Sequence, residues 1–167
     1  MSTQPALPGD ETSSLRELLR LCLWDLYAGC QAVEQRLPAV ARHAADASWR
    51  AEVQDLPAAA RLRAQRMHAA AAGGCDDGPD NLWMDGIMDD AERDTRTIAA
   101  GPLLDIAMIG AVHKAIAAER ASILTAKAIS AQLGESAALQ ALTLNEGELR
   151  GQEVTLDQRL QALTSTI

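Results

Sequence analysis

The chain contains no phenylalanine, and aromatic residues make up only 2% of its 167 residues. This excludes a core built on large aromatic side chains, so a packed interior must consist of Leu, Ile, Val, Met and Ala. Residues of this kind, with many alanines, favour helices that approach one another closely. Hydrophobic residues make up 48% of the chain, enough for one core at a length that suits one domain.

The chain also lacks an excess of positive charge. It holds 15 Lys and Arg against 23 Asp and Glu, for a formal charge of -8. This balance argues against nucleic acid or an anionic membrane as the main partner, because both attract clustered basic side chains. No apolar run reaches membrane-spanning length, and the N-terminus has no basic segment followed by an apolar one. We therefore expect no membrane partner, no nucleic-acid partner and no signal peptide.

Cysteine is scarce, and its three positions do not suit a disulfide framework or a zinc site. Cys22 and Cys30 are eight residues apart on one predicted helix, which is too far for a bridge, and Cys75 would remain unpaired. Free thiols are typical of a reducing compartment, so we predict a cytoplasmic protein.

The pattern of apolar residues predicts a helical bundle. Residues 1–13 contain Pro5, Pro8 and Gly9 among polar residues and are predicted to form a flexible tail, with one domain over residues 14–167. Within that domain apolar residues recur at intervals of three and four, and no segment alternates with period two. Breaks at GGCDDGP and at Gly101-Pro102 separate four long helices and one short helix over residues 81–98. The fold class is therefore all-α, a bundle with short connections.

Each long helix carries a polar side chain or a thiol on its apolar stripe. The residues are Cys30, Arg63, Glu119, Glu146 and Glu153. Bundles that hold two iron or manganese ions place Glu and His in this way, although no Glu-x-x-His spacing occurs here, and a single Glu on a stripe is more often at its solvated edge. Arg63 suggests another use of the carboxylates. A guanidinium forks onto carboxylate oxygens and supplies the charge that a metal would supply, so we expect Arg63 to pair with Glu119 or Glu146.

Several local motifs resemble the YciE/YciF-type family of ferritin-like bacterial proteins, which is linked to stress responses. They are LRELLRLCLWDLYAGCQAVEQRLP at 15–38, QRM at 65–67, WMDGIMDDAE at 83–92, AAERASILTAKAISAQLG at 117–134 and TLNEGE at 143–148. The resemblance covers residues 14 to 163. It implies a ferritin-like four-helix bundle with an additional short helix, usually dimeric, and an inward cluster of carboxylates and histidines that resembles a di-metal site.

The resemblance also implies that most of this cluster has been replaced. The family glutamate that follows the Leu-Tyr pair falls on Cys30, and the family's remaining expected ligands fall on or near Ala59, Arg63, Ile116 and Ala117. Glu119 and Glu146 survive. We therefore expect a degenerate metal site, in which Arg63, Glu119 and Glu146 form a buried ion-pair remnant and the small, neutral Cys30 fills a ligand position.

Three functional interpretations follow, and the first is preferred. The chain is a non-catalytic, cofactor-free protein that acts in stress through dimerisation or an unknown protein partner. Alternatively, it binds iron, manganese or zinc through non-standard ligands, namely Cys30, Glu34, Glu119, Glu146 and Glu153. In the third, Cys30 or Cys75 is a redox sensor, although the acidic neighbours of Cys75 in its exposed-looking loop should raise its pKa.

The sequence has more apolar residues than the core of one four-helix bundle needs, and we predict that the surplus forms a homodimer interface. These are Trp83, Ile87 and Met88 on the short helix, with Leu104 and Ile106 beside the main stripe of the following helix. The alternative is that the short helix covers the bundle.

Overall fold

The computed structural model describes residues 12–167, and it contains five helices and no strand within that range. The helices are α1 (Leu15–Ala41), α2 (Ala47–Ala70), α3 (Leu82–Thr97), α4 (Pro102–Leu133) and α5 (Ser136–Thr164). The all-α fold and the division into four long helices and one short helix are confirmed. The predicted tail, residues 1–13, lies outside the described residues except for Thr12 and Ser13. No helix in the described range is long and apolar enough to cross a membrane.

The start of α1 is fixed by a reciprocal capping arrangement. The Ser14 hydroxyl accepts a hydrogen bond from the Glu17 amide, and the Glu17 carboxylate accepts one from the Ser14 amide. Pro38 does not end the helix, which continues to Ala41. In the connection between α4 and α5, Gly134 ends α4 at a φ of 70°, a conformation that favours glycine.

The turn between α1 and α2 is held by a residue of α4. Asp105 is 1% exposed, and its two carboxylate oxygens accept the amides of Ala45 and Asp46 at 2.9 and 2.8 Å. The Asp46 side chain in turn accepts the Trp49 amide at 2.8 Å and caps α2. A buried carboxylate therefore replaces water as the partner of two amides in this turn.

The four long helices enclose one apolar core, and α3 packs against α1 and α4. Arg36 of α1 fastens α3 from outside, because its guanidinium donates to the Glu92 carboxylate at 3.0 Å and to the Asp85 carbonyl at 3.1 Å. The core contains, as predicted, Leu, Ile, Val, Met and Ala side chains together with Trp49.

The apolar residues assigned to a dimer contact pack against this bundle to different degrees. Met88 and Leu104 are each 1% exposed, while Trp83, Ile87 and Ile106 are partly buried and pack against the core. The predicted interface is therefore wrong for Met88 and Leu104, which α3 and α4 bury inside the bundle, and it stays a prediction for Trp83, Ile87 and Ile106. The short helix covers the bundle, as in the alternative prediction.

Candidate functional site

A bidentate ion pair lies at the centre of the bundle. Arg63 of α2 and Glu119 of α4 are 4% and 2% exposed. Arg63 Nε donates to Glu119 Oε1 at 2.8 Å, and Nη2 donates to Oε2 at 3.1 Å. This fork uses both carboxylate oxygens and the full planar edge of the guanidinium, which is the geometry that makes Arg–carboxylate pairs strong and specific.

Arg63 keeps its charge in the core because the Glu119 carboxylate lies beside it. Burial alone would lower the pKa of Arg63, but the adjacent Glu119 carboxylate outweighs burial and raises it above its ordinary value. Arg63 is therefore a fixed cation, and it neutralises Glu119 without any external ion.

Cys30 of α1 completes this centre. Its side chain is fully buried, and Sγ donates to Glu119 Oε1 at 3.2 Å. Burial, followed by the nearby Glu119 charge, raises the pKa of the Cys30 thiol well above its ordinary value. The thiol is therefore a neutral donor, and residues from α1, α2 and α4 meet at one carboxylate.

Helix α5 supports the centre through Asn145, which sequence reasoning missed. Asn145 is fully buried, its Nδ2 donates to the Arg63 carbonyl at 3.2 Å, and its Oδ1 accepts from Arg66 Nη1 at 3.0 Å. The signal was present, because Asn145 lies three residues after Leu142 and four before Leu149 on the apolar stripe. The adjacent Glu146 was instead assigned as the inward polar residue of α5.

Glu146 does not belong to the central pair. Its two oxygens accept from Lys127 Nζ and Arg150 Nη2, each at 2.6 Å, at the edge of the α4–α5 contact. The hydrogen bond from Lys127, aided by Arg150, lowers the pKa of Glu146. The predicted partnership of Arg63 with Glu146 is therefore corrected: Glu119 is the carboxylate that Arg63 meets.

The five candidate metal ligands do not converge. Glu34 faces Arg61 at 3.6 Å, and Glu153 pairs with Arg120, so both carboxylates lie at charged edges of the bundle. Within residues 12–167, no group of three or more His, Cys, Asp or Glu side chains has an arrangement that could hold a metal ion. Of the proposed set, only Cys30 and Glu119 come together, whereas Glu34, Glu146 and Glu153 each pair with basic residues elsewhere in the bundle.

The central residues also do not suit iron, manganese or zinc. A divalent ion needs carboxylate oxygens with free lone pairs and, from a cysteine, a deprotonated thiolate. It also needs a site in which no other cation competes for these ligands. Here Arg63 takes both Glu119 oxygens, and the Cys30 thiol is held in its protonated form. A metal ion at this point would have to displace the Arg63 guanidinium, which is part of the chain. The residues present therefore do not fit iron, manganese or zinc.

Cys75 is not exposed, contrary to the sequence-based expectation. It belongs to the α2–α3 connection but is only 2% exposed, and its Sγ lies 3.9 Å from the Leu23 carbonyl of α1. Burial, followed by the neighbouring Asp76, raises the pKa of this thiol to about 11. Two of the three cysteines are thus buried thiols, and neither has the electropositive, accessible surroundings of a redox sensor.

Gly29 has a role that is specific to its missing side chain. A Cβ built on it would lie 3.0 Å from Asn81 Nδ2 and 3.3 Å from the Trp83 ring. Both side chains are held by Asp25, which accepts Asn81 Nδ2 on its carbonyl at 2.7 Å and Trp83 Nε1 on its carboxylate at 2.8 Å. Gly29 therefore allows the start of α3 to dock on α1 directly beside the Cys30 position.

Comparison with solved structures identifies the fold. The chain superposes on the Escherichia coli stress protein YciF with a TM-score of 0.87 and 16% identity, over 93% of this chain and 100% of that one. It superposes on YcfI from Rhodopseudomonas palustris with a TM-score of 0.84 and 20% identity, over 90% and 98% of the two chains. No protein-family model and no curated protein sequence matches the chain. The fold expected from the family resemblance is therefore confirmed at the level of structure.

Proposed function

We propose that this chain is a non-catalytic, divergent member of the YciE/YciF-type family, whose di-metal centre has been replaced by an internal ion pair. In this proposal it needs no cofactor. It acts in the cytoplasm during stress, through association with its own copies or with a protein partner. The stress assignment is supported by the fold shared with the E. coli stress protein YciF.

The observation that carries the proposal is the fork of Arg63 on Glu119. A ferritin-like metal centre uses inward carboxylates to hold cations, and here a side chain of the protein supplies the cation at 2.8 and 3.1 Å. The charge of the surviving carboxylate is balanced within the chain. The arrangement is therefore suited to holding the four helices in register rather than to binding and turning over a substrate.

Association is supported by an apolar groove between α2 and α5. Leu56 and Leu62 of α2 and Leu156 of α5 line it, and Leu62 is 52% exposed. The groove has a volume of about 500 Å³. Exposed apolar surface of this kind often marks an interaction site, and a twofold self-association through one such face produces a closed dimer.

The metal content of the purified protein tests the central claim. The protein is expressed with added iron and manganese, purified without a chelator or an affinity metal, and analysed by mass spectrometry for metal per chain. We expect well-folded protein with far less than one metal per chain. Near-stoichiometric iron, manganese or zinc would overturn the proposal and would favour the alternative in which Cys30 and inward glutamates bind the metal.

Light scattering after size exclusion tests the assembly claim separately. We expect a dimer, and we expect Leu62→Arg to shift it to monomer because the charge enters the groove. The matched control is Leu124→Arg on α4, where Leu124 is equally exposed at 52% and is not a groove residue. A monomeric parent, or equal effects of the two variants, would contradict self-association through this groove.

A further inference from the structure

The third nitrogen of the Arg63 guanidinium is in an unusual position. Nε and Nη2 bind Glu119, but Nη1 is shielded from solvent and finds no acceptor among the residues that the structure describes. A buried donor on a charged group is costly to leave without a hydrogen-bond partner. Such groups in native proteins are normally matched by protein or by an ordered water.

A small cavity adjoins the same side chain. It has a volume of about 20 Å³ and is lined by Arg63, Glu119 and Gln152 together with apolar residues of α1, α2, α3 and α4. A cavity needs roughly 10–15 Å³ of this kind of space to hold one water, and the water needs two to four polar partners. The cavity is thus large enough for one heavy atom and too small for an organic molecule.

We infer that this cavity is a binding site for a single-atom hydrogen-bond acceptor, a water molecule or a halide ion, held by Arg63 Nη1. The inference deepens the proposed function, since it rests on the same ion pair. A water would accept from Nη1 and donate to Glu119 or to the Gln152 amide, both of which line the cavity. A halide could only accept, and it would lie near the Glu119 carboxylate. Charge balance therefore favours water.

Crystallography of the full-length protein separates the two sources. Crystals grown in sodium bromide and in sodium chloride are measured to a resolution of about 1.5 Å, with data at the bromine absorption edge. We expect a single density peak at hydrogen-bond distance from Nη1, about 2.7–3.2 Å. In the bromide crystals, a peak without anomalous signal identifies water, and a peak with a bromine signal identifies a halide. Absence of a peak in both crystals would overturn the inference.

A double variant supplies the control. In Arg63→Met/Glu119→Met the polar partners are replaced by apolar side chains of similar size, so the fold should be retained while the peak disappears. A peak that persists in the double variant would show that Nη1 does not hold the ligand, which would also overturn the inference. Failure of the proposed function looks different, because an iron or manganese ion at the centre would give its own anomalous signal at the metal edge.

Discussion

Cys30 and Arg63 donate to the same oxygen atom. Glu119 Oε1 accepts the Cys30 thiol at 3.2 Å and Arg63 Nε at 2.8 Å, while Oε2 accepts Arg63 Nη2. One carboxylate of α4 thereby joins α1 and α2 through three hydrogen bonds in a region shielded from bulk solvent. This dependence on a single group makes the centre sensitive to the loss of any one partner.

Removal of the guanidinium should strand a buried charge. We expect Arg63→Leu to lower the free energy of unfolding at pH 7 by about 3–5 kcal/mol, because Glu119 would remain buried without its counter-charge. Urea denaturation followed by circular dichroism measures the loss.

Arg61 offers a matched control for that change. It lies on the same helix, its side chain is 58% exposed, and it faces Glu34 at 3.6 Å. We expect Arg61→Leu to cost about 1 kcal/mol or less, since exposed ion pairs contribute little. Similar losses in the two variants would mean that Arg63 is not a buried ion-pair partner in solution.

Removal of both charges should be much better tolerated than removal of one. We expect the unfolding free energy of Arg63→Met/Glu119→Met to lie within about 1–2 kcal/mol of the parent or above it, because neither charge then needs compensation. The comparison requires the two single variants measured under the same urea conditions. Additive losses in the double variant would show that the two side chains do not interact.

A methyl group at Gly29 should push α3 away from α1. The added carbon would meet Asn81 and Trp83, and Asn81 has little freedom because it is 2% exposed and its amide is bound to Asp25. We expect Gly29→Ala to destabilise the protein by roughly 1–3 kcal/mol, as overpacking does. Differential scanning calorimetry would record the lower Tm.

The same substitution elsewhere should act in the opposite direction. A Cβ on Gly147 of α5 meets nothing within 4 Å, so Gly147→Ala should stabilise the helix by about 0.5–1 kcal/mol. If Gly29→Ala raised the Tm as Gly147→Ala does, the close docking of Asn81 on α1 would be refuted.

The three thiols should differ sharply in reactivity. Cys22 is half-buried, whereas Cys30 and Cys75 are 0% and 2% exposed, and burial raises the pKa of both inner thiols. We expect iodoacetamide at pH 8 to label Cys22 first, and to reach the other two only through unfolding. Peptide mass spectrometry gives the three rates. Native-state labelling of Cys30 as fast as that of Cys22 would revive the redox interpretation.

The Glu146 contacts should contribute to stability only above acidic pH. Because Lys127 holds the pKa of Glu146 below its ordinary value, the stabilisation is complete above the unfolded-state pKa of about 4.3 and is lost as the pH falls through the lower folded-state pKa. We therefore expect Glu146→Gln to lower the Tm at pH 7 and to have little effect near pH 2. An effect of equal size at both values would exclude an ionic contribution.

Much of the fold could be predicted because apolar residues that recur at intervals of three and four indicate helices. The breaks at residues 73–79 and at Gly101-Pro102 both lie at connections between observed helices, and the predicted short helix 81–98 matches α3 to within one residue at each end. A stripe position, however, records only that a residue faces inward somewhere along the helix. It does not give depth or the partner across the bundle, so Glu119 at the centre and Glu146 at the edge looked alike.

The remaining differences have the same origin. The loop around Cys75 has the composition of an exposed turn and most of it is exposed, yet the Cys75 side chain is buried and its thiol lies against α1. Helix α3 does carry an apolar side, but only the packed structure shows that this side lies against α1 and α4. Both outcomes depend on contacts between distant segments, which a local pattern does not encode.

The Asp105 carboxylate, finally, couples a surface turn to the stability of the whole molecule. The amides of Ala45 and Asp46 donate hydrogen bonds to a side chain of α4 that lies about sixty residues away in sequence. Turn amides usually exchange with solvent through small local openings, but any opening that frees these two must also break their contact with α4. Their hydrogen exchange should therefore be slower than that of other turn amides, and it measures how firmly α4 is held against the α1–α2 hairpin.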